Sequence, residues 1–181
     1  FAWSKTNKVR VVFALGYTPK EDYKTVSFSS DGDKEFDKII DSGTSHTRPV
    51  FDITADGEKV AFIKINPSSE GNYSSELMFG NLSGDGLKKV YDIGKKKCVN
   101  NTVSISPDSN KIFYGVGCTP DDWSSHIFNM NAGKATGKLL TGNAIWSPDS
   151  TKFYGFQYLY NSDGTPAGQS VYILDYQGNV I

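Results

Sequence analysis

The hydrophobic positions of this chain occur in short runs separated by polar turns. In Ala144–Phe156 (AIWSPDSTKFYGF), one apolar run ends at Trp146, a Ser-Pro-Asp-Ser turn follows, and a second apolar run begins after Lys152. The pattern recurs at Val103–Val116 and Val50–Ile63, and in a degenerate form at Phe1–Phe13. Repetition of this kind predicts a fold built from repeated units.

The turn and its flanking runs are typical of a tight antiparallel hairpin. Proline at the second turn position presets φ for a type I turn, and the Asp and Ser side chains can bond back to nearby N–H groups. The runs after the turns, such as Val60–Ile63 and Ile112–Tyr114, are continuously apolar, which is typical of strands buried on both faces. Glu35–Asp41 comes nearest to a helical period and is too short. The sequence therefore predicts an all-β fold.

Four consecutive units can each be divided into four short strands, which we call A to D. The turn residues Asp56, Asp108 and Asp149 are 52 and 41 residues apart. Repeats of about 40–50 residues with four strands each are the signature of a β-propeller made of four-stranded antiparallel blades. We predict one domain over residues 1–181, with blades at approximately 1–46, 47–97, 98–141 and 142–181. Strand D of the third blade is predicted at Gly137–Leu140.

The units resemble the WD40-like repeat of the TolB type, whose pattern is an apolar strand, Ser-Pro-Asp-Gly, Lys and a second apolar strand. The best matches are Ser147–Ser150 with Lys152 and Ser106–Ser109 with Lys111, whereas Ala55–Gly57 with Lys59 lacks the Pro and Ser4–Lys8 matches weakly. The Trp-Asp and Gly-His marks of the standard WD40 repeat are absent. The resemblance implies a non-catalytic binding or scaffold module that mediates protein–protein interaction in the periplasm or at the cell surface.

The resemblance leaves other functions open. Similar propellers form the gating domain of prolyl-oligopeptidase-type serine peptidases, in which case the catalytic domain would lie outside this chain. A carbohydrate-binding propeller is a third interpretation. Propellers of this family usually have more than four blades, so the chain is expected to be a fragment of a larger propeller, to pair with a second copy or another chain, or to form a four-bladed ring by itself.

Composition and charge limit the classes of partner that the chain is expected to bind. The net charge is -1 and 22% of the residues are charged, so no broad electrostatic field points to nucleic acid or to an anionic membrane. No apolar run approaches the roughly 20 residues of a membrane-spanning helix. No signal peptide is predicted because Phe1 already lies inside a repeat, which is typical of a mature chain or an excised piece. The sequons at Asn72, Asn81 and Asn100 fit secretion only where the host glycosylates.

The two cysteines flank the hairpin of the third unit. If Ile105 pairs with Lys111, Cys98 lies opposite Cys118, at a Cα separation of about 4.5–5.5 Å that a disulfide allows. We therefore predict a Cys98–Cys118 bridge, with two unrelated buried thiols as the alternative. A bridge would indicate an oxidising compartment.

Propeller topology places the B–C loops on the face opposite the A–B turns. These loops are long and aromatic, and they are predicted at Gly16–Tyr23, Asn66–Ser75, Cys118–Ser125 and Gln157–Gln169. Aromatic side chains with a polar group are enriched at interaction surfaces, and long loops tend to carry function. The predicted binding residues on this rim are Tyr17, Tyr23, Tyr73, Asp121, Asp122, Trp123, Tyr158 and Tyr160. For any one of these residues, packing on a blade edge is the alternative.

No catalytic, metal or cofactor site is predicted. His46 and His126 are the only histidines, and their separation does not suit a histidine-rich metal site. Asp121 and Asp122 lie in no loop with the twelve-position calcium spacing. Gly-x-Ser-x-Gly is absent, and Gly133–Lys138 resembles a phosphate loop only superficially because no helix is predicted after it.

Overall fold

The chain folds into antiparallel sheets that follow one another in sequence order. The computed structural model describes residues 50–67, 73–81, 85–95, 99–117, 124–139 and 142–181, together with six two-residue strands before residue 36. Those six are β1 (Ala2–Trp3), β2 (Val11–Val12), β3 (Ala14–Leu15), β4 (Lys24–Thr25), β5 (Ser27–Phe28) and β6 (Lys34–Glu35), and they pair as β1–β2, β3–β4 and β5–β6. Across these described parts every element is a strand, so the all-β prediction is confirmed.

Three larger sheets follow, each built from sequential hairpins. We number them two, three and four after the repeat units to which they belong. Sheet two contains β7 (Phe51–Ile53), β8 (Lys59–Pro67), β9 (Tyr73–Asn81) and β10 (Lys88–Lys95). Sheet three contains β11 (Val99–Ile105), β12 (Lys111–Val116), β13 (Ser124–Asn129) and β14 (Lys134–Ala135). Sheet four contains β15 (Asn143–Trp146), β16 (Lys152–Tyr160) and β17 (Pro166–Asp175). The four-stranded antiparallel blade is therefore present in sheets two and three.

The sheets pack face to face and share apolar clusters. In β8, Ala61 and Ile63 join a cluster with sheet three, whereas Val60 and Phe62 belong to a cluster on the opposite face. In β12, Phe113 lies in the cluster shared with sheet four, while its neighbours belong to the one shared with sheet two. Successive first strands are in contact: β1 with β7, β7 with β11, and β11 with β15. The burial of these B strands on both faces confirms what their continuous apolar runs predict.

Strand D of the third blade differs from its predicted position. β14 covers Lys134–Ala135, and Leu139 makes only an isolated bridge with Ser125. Gly133, with φ at +62°, ends the turn that brings β14 back against β13. The Thr136 hydroxyl then accepts from the Ile127 N–H at 2.9 Å, where a backbone carbonyl would continue the ladder. The predicted strand at Gly137–Leu140 is therefore wrong over its described residues, 137–139, and Leu140 lies outside the described part of the chain.

The B–C connections of sheets two and four are shorter than predicted, because the flanking strands extend into them. β16 continues to Tyr160 and β17 begins at Pro166, so most of the predicted loop at Gln157–Gln169 is a β-ribbon. Its turn is closed by the Asn161 N–H, which donates to the Thr165 carbonyl at 2.8 Å. Likewise, β8 and β9 reach Pro67 and Tyr73.

The register of the third hairpin also differs by one residue. Ile105 pairs with Ile112 rather than with Lys111, and an irregularity lies between Val99 and Val103. The last described pair is Val99 with Val116. Cys98 and Cys118 lie just beyond this pair along the chain, outside the described residues, so the bridge remains a prediction.

In the part of the chain that the structure describes, no helix is long and apolar enough to cross a membrane.

Candidate binding surface

The A–B turns share one hydrogen-bonded arrangement. The Ser147 hydroxyl donates to Asp149 Oδ1 at 2.6 Å and accepts from the Lys152 N–H at 3.0 Å. Asp149 Oδ1 also accepts from the Thr151 N–H at 3.0 Å. The same contacts recur in the sets Thr54, Asp56, Lys59 and Ser106, Asp108, Lys111. These side chains satisfy the turn's own polar groups, so the repeated motif stabilises the fold.

The turn carboxylates are consequently held in their charged form. Hydrogen bonds from the Ser147 hydroxyl and from Thr151 lower the pKa of Asp149 to about 2. Burial opposes the shift at Asp108, but hydrogen bonds from Ser106, from the Asn110 N–H and from Lys111 outweigh it and lower the pKa of Asp108 to about 2. A carboxylate committed in this way is a poor general acid or base near neutral pH.

Hydrogen bonds also join neighbouring sheets, through the A strands and through these turns. Asp52 Oδ2 accepts from the Ile105 N–H at 2.8 Å, between sheets two and three. Between sheets three and four, Ser150 Oγ accepts from the Asp108 N–H at 2.9 Å, and the Ser150 carbonyl accepts from Lys111 Nζ at 3.2 Å. The A–B face therefore aligns one sheet with the next.

His126, the one histidine among the described residues, is held by polar contacts at both ring nitrogens and by ring stacking. His126 Nδ1 lies 3.1 Å from the Thr136 carbonyl oxygen, and its Nε2 lies 3.0 Å from Ser124 Oγ. The imidazole stacks on the Tyr114 ring with centroids 5.4 Å apart. Within the described ranges, His, Cys, Asp and Glu side chains form no group of three that could hold a metal ion.

The predicted rim residues fall into two groups. Tyr17, Tyr23, Asp121, Asp122 and Trp123 lie outside the described residues, so their role as binding residues remains a prediction. Tyr73 is the first residue of β9 and pairs with Pro67. Tyr158 and Tyr160 are brought together on β16.

Tyr158 and Tyr160 belong to a ribbon that extends beyond the rest of sheet four. β15 pairs with β16 only as far as Asn143 with Phe156, so residues 157–169 continue as a two-stranded hairpin. Tyr158, Leu159 and Tyr160 are all exposed on it. We call residues 157–169 the aromatic ribbon. The Tyr158 ring packs edge-on against Phe156, two residues earlier on the same strand, at a centroid distance of 5.9 Å.

A second exposed surface was not predicted from the sequence. On sheet four, Ile145 pairs with Tyr154, and Tyr154 pairs with Ile173, so the three residues lie in one row across one face. With Val171 they form what we call the outer face, and they are exposed by 64%, 49%, 41% and 69% for Ile145, Tyr154, Ile173 and Val171. The apolar run of β16 favours burial on both faces, yet only the Phe153 side is buried. No sheet formed by the described residues covers the outer face, so its apolar side chains are exposed there.

Comparison with known proteins identifies the fold of the chain but does not assign it to a family. The sequence matches no protein-family model and no curated protein sequence. The structure is similar to TolB from Acinetobacter baumannii, with a TM-score of 0.60 and 16% identity, covering 98% of this chain and 41% of that one. It is also similar to the β-propeller domain of the Trilobed protease from Pyrococcus furiosus, with a TM-score of 0.60 and 18% identity, covering 94% of this chain and 52% of that one.

A peptidase structure gives the same result. The chain is also similar to a structure from a structural and mechanistic analysis of two prolyl endopeptidases. The TM-score is 0.57 and the identity 15%, covering 99% of this chain and 28% of that one. The chain therefore spans about half, or less, of the length of these solved structures. At such identities the likeness concerns architecture alone. The chain has a β-propeller fold, of which it forms a part that is not closed into a ring.

Proposed function

We propose that residues 1–181 act as a non-catalytic binding module, which contacts a protein partner in the periplasm or at the cell surface. The observation that carries the proposal is the aromatic ribbon, where Tyr158, Leu159 and Tyr160 are exposed together on a hairpin that protrudes from sheet four. Tyrosine offers a large apolar ring with a hydroxyl, the combination that protein interfaces favour.

The location and the class of partner rest on two further points. The resemblance of the A–B motifs to TolB-type repeats supports the periplasm or the cell surface. The near-zero net charge of -1 makes nucleic acid and anionic membrane poor partners for a surface of this kind. The rim residues Tyr17, Tyr23, Tyr73, Asp121, Asp122 and Trp123 are proposed to contribute to the same interaction.

The experiment compares three versions of the immobilised chain. The wild type, the double variant Tyr158→Ser/Tyr160→Ser and the control Val180→Ser are each incubated with a cell-envelope extract. We expect a protein that is retained by the wild type and by the control, and lost with the double variant. Val180 is an exposed apolar residue outside the ribbon, so it controls for a general loss of hydrophobic surface. Equal retention by all three versions, or selective retention of glycans instead of protein, would contradict the proposal.

A second candidate function is the propeller part of a serine peptidase. The similarity to the propeller domain of the Trilobed protease and to prolyl endopeptidase favours it. In that case this chain supplies no catalytic residue, and the catalytic domain lies elsewhere in the full-length protein. The two candidates are distinguished by the encoded sequence on either side of residues 1–181. A downstream Gly-x-Ser-x-Gly motif would favour the peptidase.

A further inference from the structure

The two edges of the aromatic ribbon differ in their ability to pair with another strand. On β17, Pro166 has no N–H to donate, and the pairing with β16 skips Ala167 between Gly168 and Pro166. Proline and bulges are features that keep sheet edges from pairing with other chains. Further along β17, the Ile181 N–H donates to the Ile173 carbonyl at 3.0 Å, so the chain itself pairs with this edge. The β17 edge is therefore blocked.

The backbone groups on the other edge follow from the alternation along β16. The Phe156 carbonyl accepts from the Gly142 N–H at 3.2 Å, so the backbone groups of Phe156 face the β15 side. The irregularity between Leu159 and Tyr160 adds a residue to β17 and none to β16, so the alternation continues. The N–H and C=O groups of Tyr158 and Tyr160 therefore also point to the β15 side.

β15 does not continue along the aromatic ribbon. Its first pair is Asn143 with Phe156, and the Gly142 N–H makes the next contact with β16. Three residues earlier, the Leu139 N–H donates to the Ser125 carbonyl at 2.8 Å, in sheet three. The chain that leads into β15 thus comes from sheet three and not along the ribbon. We call the β15-facing side of residues 157–160 the ribbon edge.

The ribbon edge combines unpaired backbone groups with exposed side chains on both faces. Among the described residues, none is hydrogen-bonded on this side to the backbone of Tyr158 or Tyr160. Their rings lie on one face and Leu159 on the other, with exposures of 57%, 60% and 40% for Tyr158, Tyr160 and Leu159. Residues 157–160 include no charged residue and no proline, in contrast to edges that avoid pairing. This chemistry is complementary to an extended peptide segment, whose N–H and C=O groups alternate with the same period.

We propose that the ribbon edge binds an extended apolar segment of the protein partner, which adds to β16 as a further strand. The segment runs antiparallel to β16 and continues the β15–β16 ladder beyond Asn143, with its backbone bonded to Tyr158 and Tyr160. Its alternate side chains contact the tyrosine rings on one face and Leu159 on the other, and the edge offers no charge for an ionic side chain. The inference rests on the proposed function, because it states how the aromatic ribbon holds its partner.

Amide hydrogen exchange of the free chain, followed by NMR, tests whether the ribbon edge is unpaired. We expect the amides of Tyr158 and Tyr160 to exchange at least about tenfold faster than those of Gln157 and Leu159, which face β17. Equal protection of these four amides in a dilute sample would overturn the proposal, because the chain itself would then occupy the edge. Protection of Tyr158 and Tyr160 that grows with concentration would overturn it in favour of a second copy as the occupant.

The binding test uses short linear peptides of random sequence, displayed on phage and selected on the immobilised chain. Tyr158→Ala removes the ring and keeps the N–H, whereas Tyr158→Pro removes both, and the β16–β17 ladder does not use this N–H. We expect the selected peptide to bind Tyr158→Pro at least about tenfold more weakly than Tyr158→Ala, because an acceptor of the peptide loses its donor. In the wild type, the peptide should protect the amides of Tyr158 and Tyr160.

Two results of this selection would contradict strand addition. One is a selection that yields no binding peptide, and the other is a peptide that binds Tyr158→Ala and Tyr158→Pro equally or protects other amides instead. Circular dichroism and the slow exchange of the Leu159 amide establish that the proline variant keeps its ribbon. Where it does not, Tyr160→Ala and Tyr160→Pro provide the same comparison at the other edge residue.

The same two variants separate this inference from the proposed function in the retention experiment with the cell-envelope extract. Weaker retention by Tyr158→Pro than by Tyr158→Ala is the expected result. A protein that is lost with Tyr158→Ser/Tyr160→Ser, but retained equally by the alanine and proline variants, would leave the proposed function intact and overturn strand addition. If the extract yields no retained protein while the selected peptide still distinguishes the two variants, strand addition at the edge holds and the envelope partner is wrong.

Discussion

Phe113 and Phe153 face each other across the boundary between sheets three and four, with ring centroids 6.0 Å apart and an interplanar angle of 54°. Both rings are fully buried, although each belongs to a different repeat. The contact between successive sheets is therefore an extended part of the core, and each sheet depends on its neighbour for stability. This is the expected energetics of a repeat protein, in which interfaces between neighbours supply much of the stability.

The first prediction concerns this contact. Phe113→Ala removes a buried ring from the interface and should lower the free energy of unfolding by about 3–5 kcal/mol. Tyr154→Ala is the matched control, because Tyr154 holds the equivalent position on the exposed outer face, and it should cost less than about 1 kcal/mol. Urea unfolding followed by circular dichroism provides both values. Equal losses for the two variants would show that Tyr154 is also covered within one chain.

A second prediction concerns the end of β9. A Cβ added at Gly80 would lie 2.6 Å from the Leu87 backbone nitrogen and 2.8 Å from the Gly86 carbonyl oxygen, and it would also overlap Leu87 Cα. Backbone atoms cannot move aside as a flexible side chain can, so Gly80→Ala should destabilise the protein by about 1–3 kcal/mol. Gly137→Ala is the control, because nothing lies within 4 Å of its added Cβ. Thermal unfolding of the two variants is the measurement, and a melting temperature of Gly80→Ala equal to that of the control would contradict the prediction.

The sequence predicts the A–B hairpins well because local chemistry determines them. The Ser147 hydroxyl and the Asp149 carboxylate satisfy their own turn, and the apolar runs on either side leave few other pairings. The burial of Phe113 and Ile112 on opposite faces of β12 follows from the same runs. Such features depend on neighbours in sequence, so one sequence is enough to predict them.

The candidate surface is harder to predict because it depends on distant partners. Whether residues 157–169 form a loop or a ribbon depends on the pairing of Tyr158 with Gln169. The residue types of one strand do not reveal whether the other strand pairs with it. The exposure of Tyr154 is a second example. Its sequence context is that of the buried Phe113, but no sheet among the described residues covers Tyr154. The alternation of Tyr154, Phe156 and Tyr158 along β16 was a signal that could have placed these rings on one face.

The third prediction tests the cysteine bridge. Cys98 and Cys118 adjoin the strands whose last described pair is Val99 with Val116, so the ladder brings the chain near the separation that a disulfide needs. Intact-mass spectrometry without reductant should give a mass lower by two hydrogen atoms than the mass after reduction. The control is Cys98→Ser, whose mass should not change on reduction when the protein is monomeric. Identical masses of the wild type before and after reduction would contradict the bridge.

The last prediction concerns acid stability and the turn carboxylates. The folded-state pKa values of Asp108 and Asp149 are about 2, below the ordinary value near 3.8, so folding favours their charged forms. Their contribution is therefore complete above about pH 4 and is lost as the pH falls toward about 2. For the half-exposed Asp108 we expect no more than about 1 kcal/mol after solvent screening. Asp108→Asn should flatten the pH dependence of urea unfolding between about pH 4 and pH 2, relative to the wild type. Lys138→Gln changes one charge on an exposed side chain outside the A–B turns and should retain the wild-type slope. A wild-type slope in Asp108→Asn would mean that the hydrogen bonds of this turn contribute nothing to the acid sensitivity of the fold.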